Sequence, residues 1–258
     1  MAASDDLALA LELAALADEI TVARFRAEDL VIETKPDLTP VTEADRNVEH
    51  LIRDRLAEAR PEDAIVGEEM GGSGGAPRRW IIDPIDGTKN YVRGIAVWAT
   101  LLALEVDGRI EVGVVSAPAL YRRWWASRGE GAFMYDGRVT RRLQVSAVGR
   151  LADSQLSYGG LEDWEERGRL DALLELGRSC WRTRGFGDIL NYMLVAEGAV
   201  EIGSDPEAKL WDLAAPMVIV EEAGGRFSDL GGTARADGGD GIATNGLVHD
   251  AALEIIGR

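Results

Sequence analysis

The 258-residue sequence predicts a mixed fold, an α+β half over residues 1–146 followed by an α/β half over 147–258. Three observations carry that reading. An opening rich in Ala, Leu and Glu reads as a long helix. A middle stretch of short β-rich runs, punctuated by Asp-Gly pairs, reads as antiparallel hairpins. Beyond about Val145, short strands alternate with helical runs, the pattern of an α/β unit.

Taken in order, residues 5–25 place Leu7, Leu9, Leu11, Leu13, Leu16, Ile20 and Val22 in the first helix. Pro36 and Pro40 then break the chain. A second helix is expected after Thr42, with Val48, Leu51, Ile52 and Leu56 on one face, ending before Pro61. Strands are expected at 80–85, 97–105, 110–116, 123–127 and 131–135, with Asp107-Gly108 and Asp136-Gly137 as hairpin turns. Helices at 170–177, 188–196, 212–222 and 249–256 alternate with strands near 156–158, 200–202 and 242–244. The Gly-rich run 71–75 lacks the Lys-Ser/Thr of a phosphate-binding loop, so it reads as a flexible connection and a candidate lid.

Composition excludes several functions. The chain has 28 Lys plus Arg against 45 Asp plus Glu, a formal charge of −17, which argues against nucleic acid or an anionic membrane as partner. Its one cysteine, Cys180, can form no internal disulfide, which favours a reducing, cytoplasmic setting. Acids near the start replace the positive charges of a signal peptide, and no apolar run approaches the ~18 residues of a membrane span. Two histidines cannot build a multi-His metal cage; His50 and His249 read as ordinary helix positions.

Three acidic clusters stand out from this background. Glu68-Glu69 follows the apolar 64–66. Asp83 and Asp86 lie within Trp80-Ile-Ile-Asp-Pro-Ile-Asp-Gly-Thr-Lys-Asn90. Asp212 follows Trp211 and opens an apolar helix. Each places carboxylates at a strand end or helix start. Pro84 fixes φ and Gly87 permits a tight turn, so Asp83 and Asp86 are aimed at one point with the amides of Gly87 and Thr88 opening toward it. Carboxylates without His or Cys point to Mg²⁺, with Mn²⁺ as an alternative, rather than Zn²⁺. Two such ions sharing a carboxylate would clamp the attacking and leaving oxygens of a phosphoryl transfer.

The 80–91 segment resembles the first signature of the inositol monophosphatase family, and 211–225 resembles its second. Gly67-Glu-Glu69 and Thr42-Glu-Ala-Asp45 match two shorter family motifs, all in family order. The resemblance implies the layered αβαβα sandwich shared with fructose 1,6-bisphosphatase, two or three Mg²⁺ ions, and a homodimer. It implies one ion on Glu68, Asp83 and the Ile85 carbonyl, a second on Asp83, Asp86 and Asp212, and a weaker third leaning on Glu68. Thr88, bonded to Asp45, would help deprotonate a coordinated water. The phosphate would rest on the amides of Gly87 and Thr88. Asp-x-Asp, Cys-x5-Arg and phosphohistidine chemistries are disfavoured: Asp83 and Asp86 are three apart, position 186 is Phe186, and histidines are too few.

The leaving group would meet the Arg184-Gly-Phe-Gly187 segment and Asp205. Many inositol-type members carry Ser or Thr where this chain has Asp188, which suits a cationic substrate. Asp188 also reads as an N-cap for the helix reaching Ala196. The segments 35–42, 116–119 and 187–198 are similar to the histidinol-phosphatase branch, so L-histidinol phosphate is the expected substrate. The alternatives are a broad inositol- or sugar-phosphate monophosphatase and a regulatory binding protein of the same fold.

Overall fold

A computed structural model describes residues 2–36, 38–72 and 76–257 of the chain. Residues 73–75 of the Gly-rich run 71–75, on which the lid expectation falls, lie outside the described residues.

Helix α1 (Ala2–Arg24) is followed by a hairpin of β1 (Ile32–Thr34) and β2 (Pro40–Thr42), and then by α2 (Glu43–Ala59). Next come β3 (Ala64–Gly67), β4 (Arg78–Asp86), the short α3 (Thr88–Arg93), β5 (Ala99–Val106), β6 (Arg109–Ala117), β7 (Arg122–Ser127), β8 (Gly131–Tyr135) and β9 (Thr140–Arg142). These strands form a seven-stranded sheet in the order β3 to β9; β3 pairs parallel to β4 and all later pairs are antiparallel. Asp107 and Gly108, both at positive φ, make the expected β5–β6 turn.

The second half contributes β10 (Gln155–Tyr158), α4 (Leu161–Glu166), α5 (Leu170–Ser179), β11 (Arg182–Arg184), α6 (Leu190–Ala196) and β12 (Ile202–Asp205). It ends with α7 (Leu210–Glu222), β13 (Arg226–Ser228), β14 (Gly241–Thr244) and α8 (His249–Ile256). Its five-stranded mixed sheet runs β11-β10-β12-β14-β13. The strand expected near 200–202 begins at Ile202 and reaches Asp205.

Alternation along the strands builds five layers. Trp80, Ile82, Leu102, Leu104, Val112 and Val114 face outward onto Leu13, Ala17, Val48 and Ile52 of α1 and α2. Ile81, Leu101, Ala103 and Val115 face inward onto α6 and α7. The second sheet covers the other side of α6 and α7, and α4, α5 and α8 close the far face around Trp164, Leu176 and Ile242. Each fully buried aliphatic side chain here contributes roughly 1.5–3 kcal/mol. The order is therefore αβαβα, as the resemblance implied.

Helix α7 is the element that matters most for the site. It lies directly on β6 at Gly113, where a Cβ would come within 2.7 Å of Ala215 O. Lys209 is the N-cap in extended conformation, and Asp212 returns its Oδ2 to the Lys209 amide at 2.6 Å. That approach fixes the N-terminus of α7 over the end of β4. His249 is the first residue of α8, buried between Ser228 and Thr244, and His50 is exposed on α2.

Candidate active site

In a regular strand, residues three apart point to opposite faces. Between Asp83 and Asp86 the β4–β5 register shifts, and the bulge brings both side chains to one side. Pro84 offers no N–H to the ladder, and its carbonyl takes the Thr100 hydroxyl at 2.8 Å. Asp83, Asp86 and Asp212 consequently each place a carboxylate oxygen within 4.8 Å of the other two. Gly87 follows at φ 78°, where a side chain would be strained, and turns the chain into α3.

The electrostatics of this group are severe. Burial, then Glu68, Asp212 and Asp86, push Asp83 well above the usual carboxylate range. Burial, Asp188 and Asp212 do the same to Asp86, against the Ile189 amide donating to it at 3.0 Å. Burial raises Asp212 to about 6. Asp83 Oδ1 is buried without a hydrogen-bond partner. An uncompensated buried carboxylate costs roughly several kcal/mol, a cost that a proton or a bound cation would relieve. An all-oxygen donor set fits a hard divalent ion.

Glu68 stands at the rim of this group. Its amide donates to Ile82 O at 3.1 Å, and its carboxylate accepts from Lys35 Nζ at 2.7 Å. Lys35 also reaches Glu69 at 2.5 Å, yet burial still raises Glu69 to about 7.

Asp45, buried on α2, receives both the amide and the hydroxyl of Thr42 on Oδ2, at 2.8 and 2.6 Å. Its Oδ1 lies 3.3 Å from Thr88 Oγ1, which is 2.9 Å from Ile85 O. Burial raises Asp45 to about 6, with Glu68 adding to the shift. The Thr42 capping box thus serves the site as well as the helix.

Beside the three aspartates opens a cavity of about 200 Å³ lined by six carboxylates: Asp86, Asp163, Asp188, Asp205, Glu207 and Asp212. No lysine or arginine lines it among the described residues. Asp205 ends β12 and accepts from Asn191 Nδ2 with both oxygens at 3.0 Å; burial raises it to about 7. Asp188 accepts from Asn90 Nδ2 at 2.6 Å. The N-cap expectation for Asp188 is corrected: α6 starts later, with Ile189 as its N-cap, and Asp188 sits in the left-handed region at φ 47°. That conformation turns its carboxylate to Asn90 instead of the helix amides. Gly187 lines the cavity, whereas Arg184 is exposed and bonds Thr183 O.

Sequence reasoning missed Asp163, Glu207 and the cavity-lining Tyr192, and it did not give Lys35 a place at the site. Asn90 was visible in the first signature; Asp163 and Glu207 lie in unremarkable acidic surroundings and carried no signal.

Two stacked sheets sandwiching α6 and α7, with carboxylates gathered at the end of β4, define the architecture class. The chain belongs to the inositol monophosphatase family, whose model matches residues 3–256. It is 55% identical over 251 residues to a histidinol-phosphatase of Mycobacterium tuberculosis, with 96% of each chain covered. A histidinol-phosphatase of Chlorobaculum parvum is 40% identical over 240 residues, covering 93% of this chain and 91% of that one. Among solved structures, the IMPase of Thermotoga maritima superposes with a TM-score of 0.86 at 32% identity, covering 98% of this chain and 96% of that one.

Proposed function

We propose that the chain is a divalent-cation-dependent phosphoric monoester hydrolase that converts L-histidinol phosphate to L-histidinol and phosphate. One observation carries the substrate reading: the cavity beside the aspartate group is lined by six carboxylates and, among the described residues, by no basic side chain. A leaving group bearing an amine and a titratable imidazole brings positive charge to that lining, whereas a polyol offers it only neutral hydroxyl donors. The histidinol-phosphatase relatives support the same substrate.

Glu68, Asp83, the Ile85 carbonyl, Asp86 and Asp212 are the groups that would hold Mg²⁺, two or three ions in all, with Mn²⁺ able to substitute. When bound, such ions lower the pKa of water and neutralise phosphoryl charge. Thr88 Oγ1 would accept a proton from the attacking water while passing its own to Asp45 Oδ1. Asp45 suits that task, because Thr42 saturates Oδ2 and burial sets the carboxyl near 6, close to the working pH. The turn at Gly87 and Thr88 would receive the phosphate. Asp188 and Asp205, with Gly187 beside Asp188, would orient the cationic alcohol, and Arg184 would join only by leaving its present contact with Thr183. The single cysteine supports a cytoplasmic setting, and no described helix is long and apolar enough to cross a membrane. The homodimer rests on the family resemblance.

Phosphate release from histidinol phosphate, measured beside inositol 1-phosphate, fructose 1,6-bisphosphate and adenosine bisphosphate, tests the proposal. Histidinol phosphate should be turned over with the highest kcat/KM; a clear preference for another ester would overturn the substrate reading.

A further inference from the structure

Helix α2 carries a second acidic residue that the mechanism above does not use. Glu49 is fully buried, one turn beyond Asp45. Its Oε2 accepts from the Glu69 amide at 2.8 Å, and its Oε1 accepts from the Met70 amide at 3.2 Å and from Arg53 Nε at 2.8 Å. Arg53, a further turn along, donates Nη2 to Gly71 O. Asp45, Glu49 and Arg53 thus form an i, i+4, i+8 stripe on one helix face. Its first member holds Thr88, and the other two grip the donors and acceptor of the turn that carries Glu68.

We propose that Glu49, supported by Arg53, is a positioning residue that fixes the Glu68 turn relative to Asp45 and Thr88. The inference rests on the reading of Glu68 as a cation ligand. Two observations favour positioning over plain stability. Met70 and Gly71 are exposed, so water could satisfy their share of this turn, the Met70 amide and the Gly71 carbonyl, without a buried carboxylate. Gly67 is shaped to the clamp: a Cβ there would fall 2.0 Å from Glu49 Oε1. The grip is on the backbone, which leaves the Glu68 side chain free to exchange Lys35 for a cation. Such outer contacts orient ligands and commonly change metal affinity by about 10–100-fold when removed.

The test compares E49Q, E49A and G67A with the parent protein and with D63N. Asp63 bonds Arg78 and Trp80 Nε1 at the far end of β3, so D63N reports a loss of stability away from the site. Mn²⁺ affinity is measured by calorimetry, and amide exchange is followed over residues 67–71. G67A removes no polar group, and E49Q is close to isosteric, so both keep the comparison open if E49A does not fold. The folded variants should bind Mn²⁺ at least about tenfold more weakly and lose amide protection at Glu69 and Met70, E49Q less than E49A. D63N should lower the Tm and leave both readouts unchanged. Mn²⁺ affinity of folded E49Q and G67A within about twofold of the parent would overturn the proposal. Neither readout uses histidinol phosphate, so failure of that substrate would be told apart from failure of the clamp.

Discussion

Lys35 Nζ lies 2.7 Å from Glu68 Oε1, and through that contact the β1–β2 hairpin supplies an internal counter-ion to the carboxylate group. The same ammonium reaches Glu69 at 2.5 Å, and both carboxylates lift the Lys35 pKa above its ordinary value despite burial. A divalent ion bound through Glu68 has to compete with this pair. Lys35→Met should therefore tighten Mn²⁺ binding, by about three- to tenfold, since a partly exposed ion pair is worth ~1 kcal/mol. Calorimetric titration checks it; equal or weaker binding in the variant would show that Lys35 does not compete.

The raised carboxyl pKa values make a prediction about stability and pH. Burial holds Glu69 and Asp205 near 7 and Asp83 and Asp86 well above their ordinary values. In the unfolded chain these groups ionise near pH 4, so between there and their folded values the native state binds more protons. Their contribution is fully present at low pH and is lost as pH rises through the folded pKa. His249 works in the opposite sense: burial lowers it to about 4, which favours the native state as pH rises toward 6.5. Comparing about pH 6.5 with about pH 8 leaves His249 largely out of the balance. With a chelator present, the Tm should fall by about 3 °C or more across that interval, and Mg²⁺ should reverse the fall. A chelated protein that grew more stable toward pH 8 would contradict the assignment.

Asp83 gives a sharper version of the same argument. Its Oδ1 is buried and unpartnered, and its nearest charges are other acids. Asp83→Asn removes a charge that costs stability while no cation is bound. The chelated variant should be more stable than the chelated parent by about 1–3 kcal/mol, read as a higher Tm. Stabilisation by Mg²⁺ should vanish, and turnover should fall by about 10³-fold or more. Paired thermal scans with chelator and with Mg²⁺ decide the matter; a variant still stabilised by Mg²⁺ would remove Asp83 from the ion site.

What could be read in the sequence was local. Thr42 announced its helix because cap and first turn are contiguous, and Asp107-Gly108 announced its hairpin because a two-residue turn needs positive φ at both positions. Asp45, Glu68, Asp83, Asp86 and Asp212 were visible because each sits inside a short run whose backbone aims it. Pro36 and Pro40 suggested a break, yet Pro40 opens β2, the first position of a strand where a missing N–H is tolerated. The parallel β3–β4 pair and the three-residue strands β11 and β13 depend on partners far along the chain. So do the contacts that shape the cavity: Asn90 meets Asp188 across 98 positions, and Lys35 meets Glu68 across 33. No periodicity encodes such pairings, and Asp163 and Glu207 acquire meaning only once β12, α4 and α7 converge.

Asp188 offers the cleanest test of substrate choice. Its φ of 47° is a conformation that Asn accepts as readily as Asp, so Asp188→Asn should not strain the loop. The variant still presents an oxygen to Asn90 Nδ2, so the link to α3 survives. What disappears is one negative charge from the cavity wall. For histidinol phosphate, kcat/KM should drop by about 10–100-fold, the loss expected when a charged hydrogen bond is replaced by a neutral one. For glycerol 2-phosphate, whose alcohol is uncharged, kcat/KM should hold or rise, because an anionic ester meets less repulsion. Asp163→Asn should show the same sign at smaller size, since that carboxylate is less buried than Asp188. Parallel losses on both esters would mean that Asp188 supports the architecture of the site and does not select the cation.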